Sequence, residues 1–307
     1  MKYLSWKSLG RIIEPSVGTP WWLETFAGSA CAVIRNDGPL FDLYITGRDK
    51  FNRSRIGHGI WSAETPDKIL QLDDDPCLRL GKHGSFFESG TSYPSVIKYK
   101  NKYLMYFTGW YQGKKTPFIN SMGLAESKNA DGMFHPISES SFFPAIASEM
   151  FGIGTPFCYF DHEQNNFTLF YSSFTEWLKI GASYTPQYHI RKVIGSTPYD
   201  FERPGAPVLP SSIPLKELSC RPSLTLSHSL IFCKRNPGTK YSIFATPKVE
   251  NNQWKDQARR ISILGTSNWD SEELCYPFAF SYNDQEFLLY SGNGYGRSGL
   301  GIAILCN

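Results

Sequence analysis

The sequence predicts an all-β fold, a five-bladed β-propeller of four-stranded antiparallel blades. Three observations carry that reading. A segment with the same order of parts returns five times along the chain. Turn signals recur at short intervals, with 26 Gly and 20 Pro in 307 residues. No stretch keeps the 3.6-residue period of an amphipathic helix.

Four copies align on an x-Pro step. They are "SYPSVIKYKNKYLMYFTGW" from Ser92, "GTPFCYFDHEQNNFTLFYSSFTEW" from Gly154, "CRPSLTLSHSLIFCKR" from Cys220 and "CYPFAFSYNDQEFLLYSGNGYG" from Cys275. Each is an apolar strand, a polar turn, then an aromatic strand. The prolines Pro94, Pro156, Pro222 and Pro277 stand 62, 66 and 55 residues apart. A third strand follows in each copy: "SMGLAES" (121–127), "YHIRKVIGS" (188–196), "YSIFATP" (241–247) and "GLGIAIL" (299–305). The short aromatic-led stretches "GMFHP", "YDFERP" and "NQWKD" are expected to supply fourth strands. A copy without the proline comes first, as "GSACAVIRNDGPLFDLYITGRD" (28–49) and "RIGHGIWSAETPD" (55–67).

Five such units imply one propeller domain over 1–307, with blades near 24–80, 88–143, 149–209, 217–264 and 270–307. A two-sheet sandwich would not explain the regular return of one four-part order. The last unit holds only three strands, and an open ring exposes strand edges. The spare segment "WKSLGRIIEP" (6–15) is therefore expected to complete the fifth blade, which takes in residues 5–14.

Composition narrows the function classes. The net charge of +3, without a basic run interleaved with aromatics, gives no ground for nucleic-acid binding. No stretch of about 18 apolar residues offers a membrane span. The start "MKYLSWKSLGRII" lacks the apolar core of a signal peptide. Seven cysteines without a C-x-x-C pair read as free thiols in a reducing compartment, so a cytoplasmic location is expected. Nothing in the sequence points to a particular protein partner.

One motif invites a cofactor reading. "GYGRSG" (294–299) spells G-x-G-x-x-G after the strand-like "FLLYS". A dinucleotide loop must open a helix that holds the pyrophosphate, and a second strand must carry an acid about 20 residues on. Only "LGIAILCN" follows, which is strand-like. The glycines instead suit a tight turn with positive φ between the second and third strands of the last blade. No cofactor is expected. The six His are scattered and "DDDP" (73–76) lacks the spacing of a calcium loop, so no metal site is expected either.

In a propeller the first strand of every blade lines the central channel, and residues just ahead of it face the mouth. Acids recur there: Glu24, Glu88, Glu149, Glu217, and the group Asp270, Glu272 and Glu273. Paired carboxylates are what glycosidic cleavage requires, one to donate a proton and one to attack or to activate water. Cations gather in the channel-side turns and strands: Arg48 and Arg55 around Asp49, Arg235 in "CKRNPG", Arg297 in "GYGRSG", Arg221 in "CRPS", and His189 beside Arg191. Several at equivalent turns suggest an anionic group in the ligand, such as a sugar acid, phosphate or nucleotide. Trp110, Trp177 and Tyr295 are placed to stack on sugar faces.

The stretches "ITGRDKFNRSRIGHGIWS", "FFESGTSYPSVIKYKNKYLMYFTGW", "CRPSL" and "WDSEELCYPFAFSYNDQEFLLYSGNGYGRSGLGIAIL" resemble five-bladed propeller proteins related to glycoside hydrolase families 32, 43 and 130. Close look-alikes are encoded with bacterial surface-polysaccharide and lipopolysaccharide genes. The resemblance implies a base or nucleophile in blade 1, an orienting acid in blade 2 and a general acid in blade 3. Glu88 and Glu149 match the second and third by position. In blade 1, Asp49 is as good a match as Glu24. The Arg-rich side is closer to family 130, in which basic residues hold phosphate for phosphorolysis of mannosides.

These readings converge on a glycoside hydrolase-like enzyme of surface-glycan metabolism, acting on a carbohydrate or sugar-phosphate substrate. Glu88 and Glu149 are the candidate catalytic carboxylates, with Asp49 and Asp270 as helpers. Arg48, Arg55, His189, Arg221, Arg235 and Arg297 are the candidate substrate ligands. Two other readings stand beside this one: a transferase or phosphorylase using a sugar phosphate or nucleotide sugar, and a non-catalytic glycan-binding propeller.

Overall fold

The computed structural model describes residues 4–16, 18–36, 38–209, 218–249, 253–254 and 258–306. Five antiparallel blades form a ring. The protein starts with β1 (Ser5–Ile13) and then builds blade 1 from β2 (Phe26–Ile34), β3 (Leu40–Arg48), β4 (Ser54–Ser62) and β5 (Ile69–Leu78). Blade 2 is β6 (Gly90–Tyr99), β7 (Lys102–Tyr111), β8 (Ile119–Ser127) and β9 (His135–Pro136). Blade 3 is β10 (Ile153–Asp161), β11 (Asn166–Ile180), β12 (Ser183–Gly195) and β13 (Ala206–Pro207). Blade 4 has β14 (Leu218–Leu224), β15 (Leu230–Arg235) and β16 (Ser242–Thr246). A separate hairpin, β17 (Lys248–Val249) and β18 (Gln253–Trp254), precedes its fourth strand, β19 (Arg259–Arg260). After β20 (Ser262–Leu264), blade 5 is β21 (Cys275–Tyr282), β22 (Gln285–Ser291) and β23 (Leu300–Leu305).

Two expected fourth strands move. "GMFHP" holds β9, but blade 3 takes its edge just beyond "YDFERP", at Ala206–Pro207. In blade 4 the described part of "NQWKD", Gln253–Trp254, belongs to the extra hairpin. Trp254 is buried there, its ring 5.4 Å from that of Phe170 in blade 3, so it joins blades rather than extending one.

The N-terminal strand closes the ring as expected. β1 pairs antiparallel with β23, from Trp6 opposite Leu305 to Ile13 opposite Leu300. Trp6 is completely buried in the core between blades 4 and 5. The closure has an added layer, because β20 runs parallel to β1 on its outer side.

The x-Pro repeat has a backbone meaning. In every inner strand the residue before that step lies in the left-handed region: Ser29, Tyr93, Thr155, Arg221 and Tyr276, with φ of 46°, 53°, 51°, 51° and 54°. Each coincides with a bulge in the pairing of the first two strands. L-residues rarely adopt this conformation, so contacts around the ring must hold it. They do so in a repeating way. The N–H of Ser29 donates to Ser291 Oγ of the preceding blade, that of Tyr93 to Thr46 Oγ1, and that of Thr155 to Thr108 Oγ1. The N–H of Tyr276 meets Cys233 Sγ at 2.7 Å. In blade 4 the Arg221 N–H takes Thr155 Oγ1, which also bonds Ser172 Oγ.

A second repeat packs the lead-in to each blade. Trp22, Phe86 and Trp269 each stand seven residues ahead of the left-handed residue. Each ring lies over glycines on or just past the second strand and on the third: Gly47 and Gly57, Gly109 and Gly123, Gly292 and Gly301. A Cβ on Gly301 would sit 2.2 Å from the Trp269 ring, so side chains are excluded there by contact.

Candidate functional site

The left-handed bulges turn side chains toward the ring axis. Ser29, Tyr93, Thr155 and Tyr276 form the floor of a central cavity of about 760 Å³. That volume suits a small ligand of several rings. Blade 3 raises one wall. Its β11–β12 hairpin continues far beyond the other blades, pairing as far as Ile180 with Ser183. Tyr184, Thr185 and Pro186 of that hairpin face the cavity. Trp177 does not line it. Its ring packs on Phe118, at 5.2 Å, and on Phe174, and so braces the hairpin against the blade 2 loop.

The walls are cationic. Arg48, Lys50, Arg235 and Arg297 line the cavity, and no described lining residue is acidic. Aromatic faces hold two of the guanidinium groups. Arg48 lies over the rings of Phe26 and Trp110, at 5.7 and 5.8 Å, and donates to Asn52. Arg235 lies between Tyr241, at 4.5 Å, and Tyr295, at 5.6 Å, and donates to the Tyr295 hydroxyl at 2.9 Å. Stacking of this kind leaves the guanidinium edge free for a ligand. Burial pulls the Arg48 pKa below its ordinary value; Tyr93 and Tyr276 oppose this, and the nearby charge of Arg297 adds to it. Burial works against the charge on Arg235 too, but Tyr188, Tyr295 and Tyr276 outweigh it and raise the pKa.

The "GYGRSG" turn is built as expected. A tight turn, Asn293–Gly296, joins β22 to β23, and Gly294, Gly296 and Gly299 have φ of 67°, 118° and 121°. Tyr295 is also left-handed, at φ 67°. The buried carboxylate of Glu273 fixes this conformation, accepting from the N–H of Tyr295 and from that of Tyr241, both at 3.0 Å. Burial raises the Glu273 pKa in spite of those bonds. Arg297 reaches the cavity from the end of the turn and stays exposed.

The acids that recur in the sequence lie elsewhere. Counted from the left-handed residue, Glu149 and Asp270 stand six positions ahead, whereas Glu24 and Glu88 stand five. That offset decides their surroundings. The equivalents of Glu149 in blades 1 and 2 are Leu23 and Phe87, both fully buried. Glu149 is buried too, accepting from the Tyr171 hydroxyl at 2.6 Å and paired with Arg203. Asp270 accepts from the Tyr290 hydroxyl at 2.9 Å and from the Ser267 N–H. Glu88 is partly exposed and accepts from the Gly84 N–H, with His83 beside it. Asp49 is buried within its own turn, taking the N–H groups of Phe51 and Arg53 and the Arg53 side chain. Burial alone would raise its pKa, but the Arg53 and Arg55 contacts hold it below the ordinary carboxylate value. None of these four lines the cavity. Glu217 lies outside the described residues.

Of the sequence-derived ligands, Arg48, Arg235, Arg297, Trp110 and Tyr295 reach the cavity. Arg55, His189 and Arg221 do not line it. Arg55 is turned to Asp49 and to the Trp21 ring. His189 is half-buried, its pKa lowered by burial and by Arg191, so the ring is neutral near pH 7. Arg221 is fully buried on the ring axis, donating to the carbonyls of Pro156, Ala30 and Pro94 in three other blades. The sequence reading passed over Tyr93, Tyr188, Tyr241 and Tyr276, all at the cavity. The signal for Tyr93 and Tyr276 was present, since each is the residue before the recurring proline.

No family model matches the chain. Among curated proteins, the uncharacterized protein Rv1502 of Mycobacterium tuberculosis strain ATCC 25618 / H37Rv is 30% identical over 311 residues, covering 99% of this chain and 100% of its own. The uncharacterized protein MT1551 of M. tuberculosis strain CDC 1551 / Oshkosh matches equally. The chain belongs to the family of these mycobacterial proteins. The chain has the five-bladed propeller fold of several solved glycoside hydrolases. A glycosyl hydrolase from Bacteroides ovatus superposes with a TM-score of 0.67 at 12% identity, over 99% of this chain and 94% of its own. A structure from the GH130 family of mannoside phosphorylases, which contains glycoside hydrolases that target β-1,2 mannosidic linkages in Candida mannan, gives 0.67 at 12%, over 99% and 94%. A thermostable family-43 glycoside hydrolase gives 0.61 at 14%, over 91% and 88%.

Proposed function

We propose that the central cavity binds a saccharide carrying a carboxylate or a phosphate, and that the protein acts in glycoside chemistry on that ligand. The carrying observation is the charge of the cavity: Arg48, Lys50, Arg235 and Arg297 face it, with no acid among the described lining residues. Four like charges from three blades, facing one cavity, repel one another until an anion arrives. Trp110, Tyr184 and Tyr295 offer faces on which sugar rings stack. A role in bacterial surface-glycan metabolism belongs to the same reading and rests on the family resemblance of the sequence.

The cavity favours transfer to or from phosphate over hydrolysis. Hydrolysis by two carboxylates needs both beside the scissile bond, roughly 5–10 Å apart. Glu88, Glu149, Asp49 and Asp270 do not line the cavity. In phosphorolysis the anion held by the arginines is itself the reactant: a hydrogen phosphate oxygen bonds the anomeric carbon as the glycosidic C–O bond breaks, and the proton of the hydrogen phosphate passes to the leaving oxygen. Calorimetry with glucose, glucuronic acid and glucose 6-phosphate tests the binding claim. The charged sugars should bind, more weakly as salt rises, and glucose should bind far less. Equal affinity for all three defeats the reading. For the reaction, cleavage of glycosides that depends on added inorganic phosphate supports transfer; equal cleavage without phosphate supports hydrolysis.

A further inference from the structure

Three arginines of the ring converge on one pair of tyrosines at the cavity floor. Tyr93 of blade 2 and Tyr276 of blade 5 both sit on left-handed backbone, and their rings meet edge to face at 5.2 Å and 84°. Both line the cavity. Beneath them lies Arg221, with its guanidinium 6.0 Å from the centre of the Tyr93 ring. It is 1% exposed, and its Nε has no hydrogen-bond partner. Its other described partners are backbone carbonyls, not carboxylates. Arg48 lies within Coulombic reach of both tyrosines, and Arg235 of Tyr276.

A buried cation without a counter-charge is costly, and ion pairing is the usual remedy. Here no described carboxylate supplies that remedy, and Tyr93, whose ring Arg221 faces, lines the cavity. We propose that the anionic group of the ligand is received at the floor, by the hydroxyls of Tyr93 and Tyr276, inside the field of Arg48, Arg221 and Arg235. This rests on the anionic-saccharide reading and adds a direction to it. The charged unit enters first and goes deepest, and neutral units of a longer glycan trail toward the rim. Arg297, exposed at the mouth, steers the approach. Burial raises the pKa of both tyrosines, so each hydroxyl keeps its proton; the two hydroxyls bond each other, and an arriving anion breaks that bond to take both donors. Arg221 acts through charge, without touching the ligand.

The test compares three variants with the parent by calorimetry, using glucuronic acid, glucose 6-phosphate and uncharged glucose. Tyr93→Phe/Tyr276→Phe removes two hydroxyls and keeps the rings. It should weaken the charged probes at least tenfold, in line with lost hydrogen bonds to a charged group, and leave glucose unchanged. Arg221→Lys keeps the charge but moves it, and should weaken the same probes in the same direction. Arg297→Ala should slow association and flatten the salt dependence while costing less than threefold in affinity at high salt. Full affinity in the double tyrosine variant, with loss in Arg297→Ala, places the anion at the rim: the inference fails and the anionic reading stands. Charged probes that bind the parent no better than glucose overturn both. The two charged probes separate a phosphate ligand from a carboxylate one. Should Arg221→Lys not fold, the tyrosine pair alone decides.

Discussion

Glu149 and Asp270 occupy one position of the repeat, and each takes a hydroxyl from the equivalent tyrosine of its own blade, Tyr171 at 2.6 Å and Tyr290 at 2.9 Å. These are anchors that tie a blade's lead-in to its second strand. They differ in what else they hold. Glu149 is paired with Arg203, and Arg191 lies 3.8 Å away. Among the described residues, the Asp270 carboxylate holds the Tyr290 hydroxyl and the Ser267 N–H.

Removing the charge at position 149 therefore strands a cation. Glu149→Gln should cost about 2–4 kcal/mol, lowering the melting temperature by roughly 5–10 °C. Asp270→Asn, whose partners are neutral, should cost about 1–2 kcal/mol. Glu88→Gln, partly exposed, should stay within about 0.5 kcal/mol of the parent. Thermal melts of the three variants give the ranking directly; an unchanged melt for Glu149→Gln defeats the anchoring role.

The aromatic lead-in residues make a sharper test of packing. A methyl group at position 301 would press into the Trp269 ring. Gly301→Ala should cost about 1–3 kcal/mol in chemical denaturation. Gly301→Ala combined with Trp269→Leu should recover part of that loss, because the ring is the obstacle. A double variant no more stable than the sum of its singles counts against this account.

Ring closure predicts a large effect from a small deletion. Residues 1–14 include β1, whose Trp6 side chain is buried between blades 4 and 5. Their removal exposes β23 along its whole length and leaves β20 without a partner. The truncated chain should melt at least ~10 °C lower or fail to fold. A melt that matches the full chain would show that β1 is dispensable.

Blade 1 carries a pH-sensitive clamp away from the cavity. His58 is fully buried, its Nδ1 2.8 Å from Asp73 and its Nε2 2.9 Å from Asp42, which also holds Arg35. With a carboxylate at each nitrogen, both must carry protons. Burial pushes the imidazole pKa down, but the two aspartates outweigh it and set it above the ordinary value. For Asp42, burial raises the pKa, and His58 and Arg35 more than reverse that. The histidine contribution is complete below its unfolded value of about 6.5 and fades as pH rises through the raised folded value. The aspartate contribution is present above about 3.9 and fades as pH falls through its lowered value. Stability gained from this clamp should thus be greatest between about pH 4 and 6.5. The gap in melting temperature between the parent and His58→Gln should narrow from pH 6 to pH 9. A constant gap would mean that the imidazole does not titrate with stability.

The fold was legible because its repeat is written in chemistry that few conformations accept. Pro94, Pro156, Pro222 and Pro277 mark the bulges directly, and Ala30 fills that place in blade 1 with the same left-handed residue before it. The cavity was less legible. A recurring acid within a window of a few residues looked like one position, whereas Glu88 and Glu149 differ by one step relative to the bulge. Glu149 ends a 3₁₀ turn, Ala147–Glu149, and in a helix of about three residues per turn one step swings a side chain through about 120°. The arginines at the second turns, Arg48, Arg235 and Arg297, kept a common direction because each closes its blade's second strand or the turn after it. Arg221 was misjudged for the opposite reason: its bulge aims it below the floor, where three carbonyls take it.

The pairing of β1 with β23 also sets an order of events during synthesis. The strand that shuts the ring is made before every blade, and its partner, ending at Leu305, after all of their other strands. Every other blade finds its strands within a few tens of residues. β1 must therefore wait, with Trp6 and its backbone donors uncovered, until all five blades have been made. The nascent protein spends that interval with a sticky end, and this is when a chaperone has most to hold.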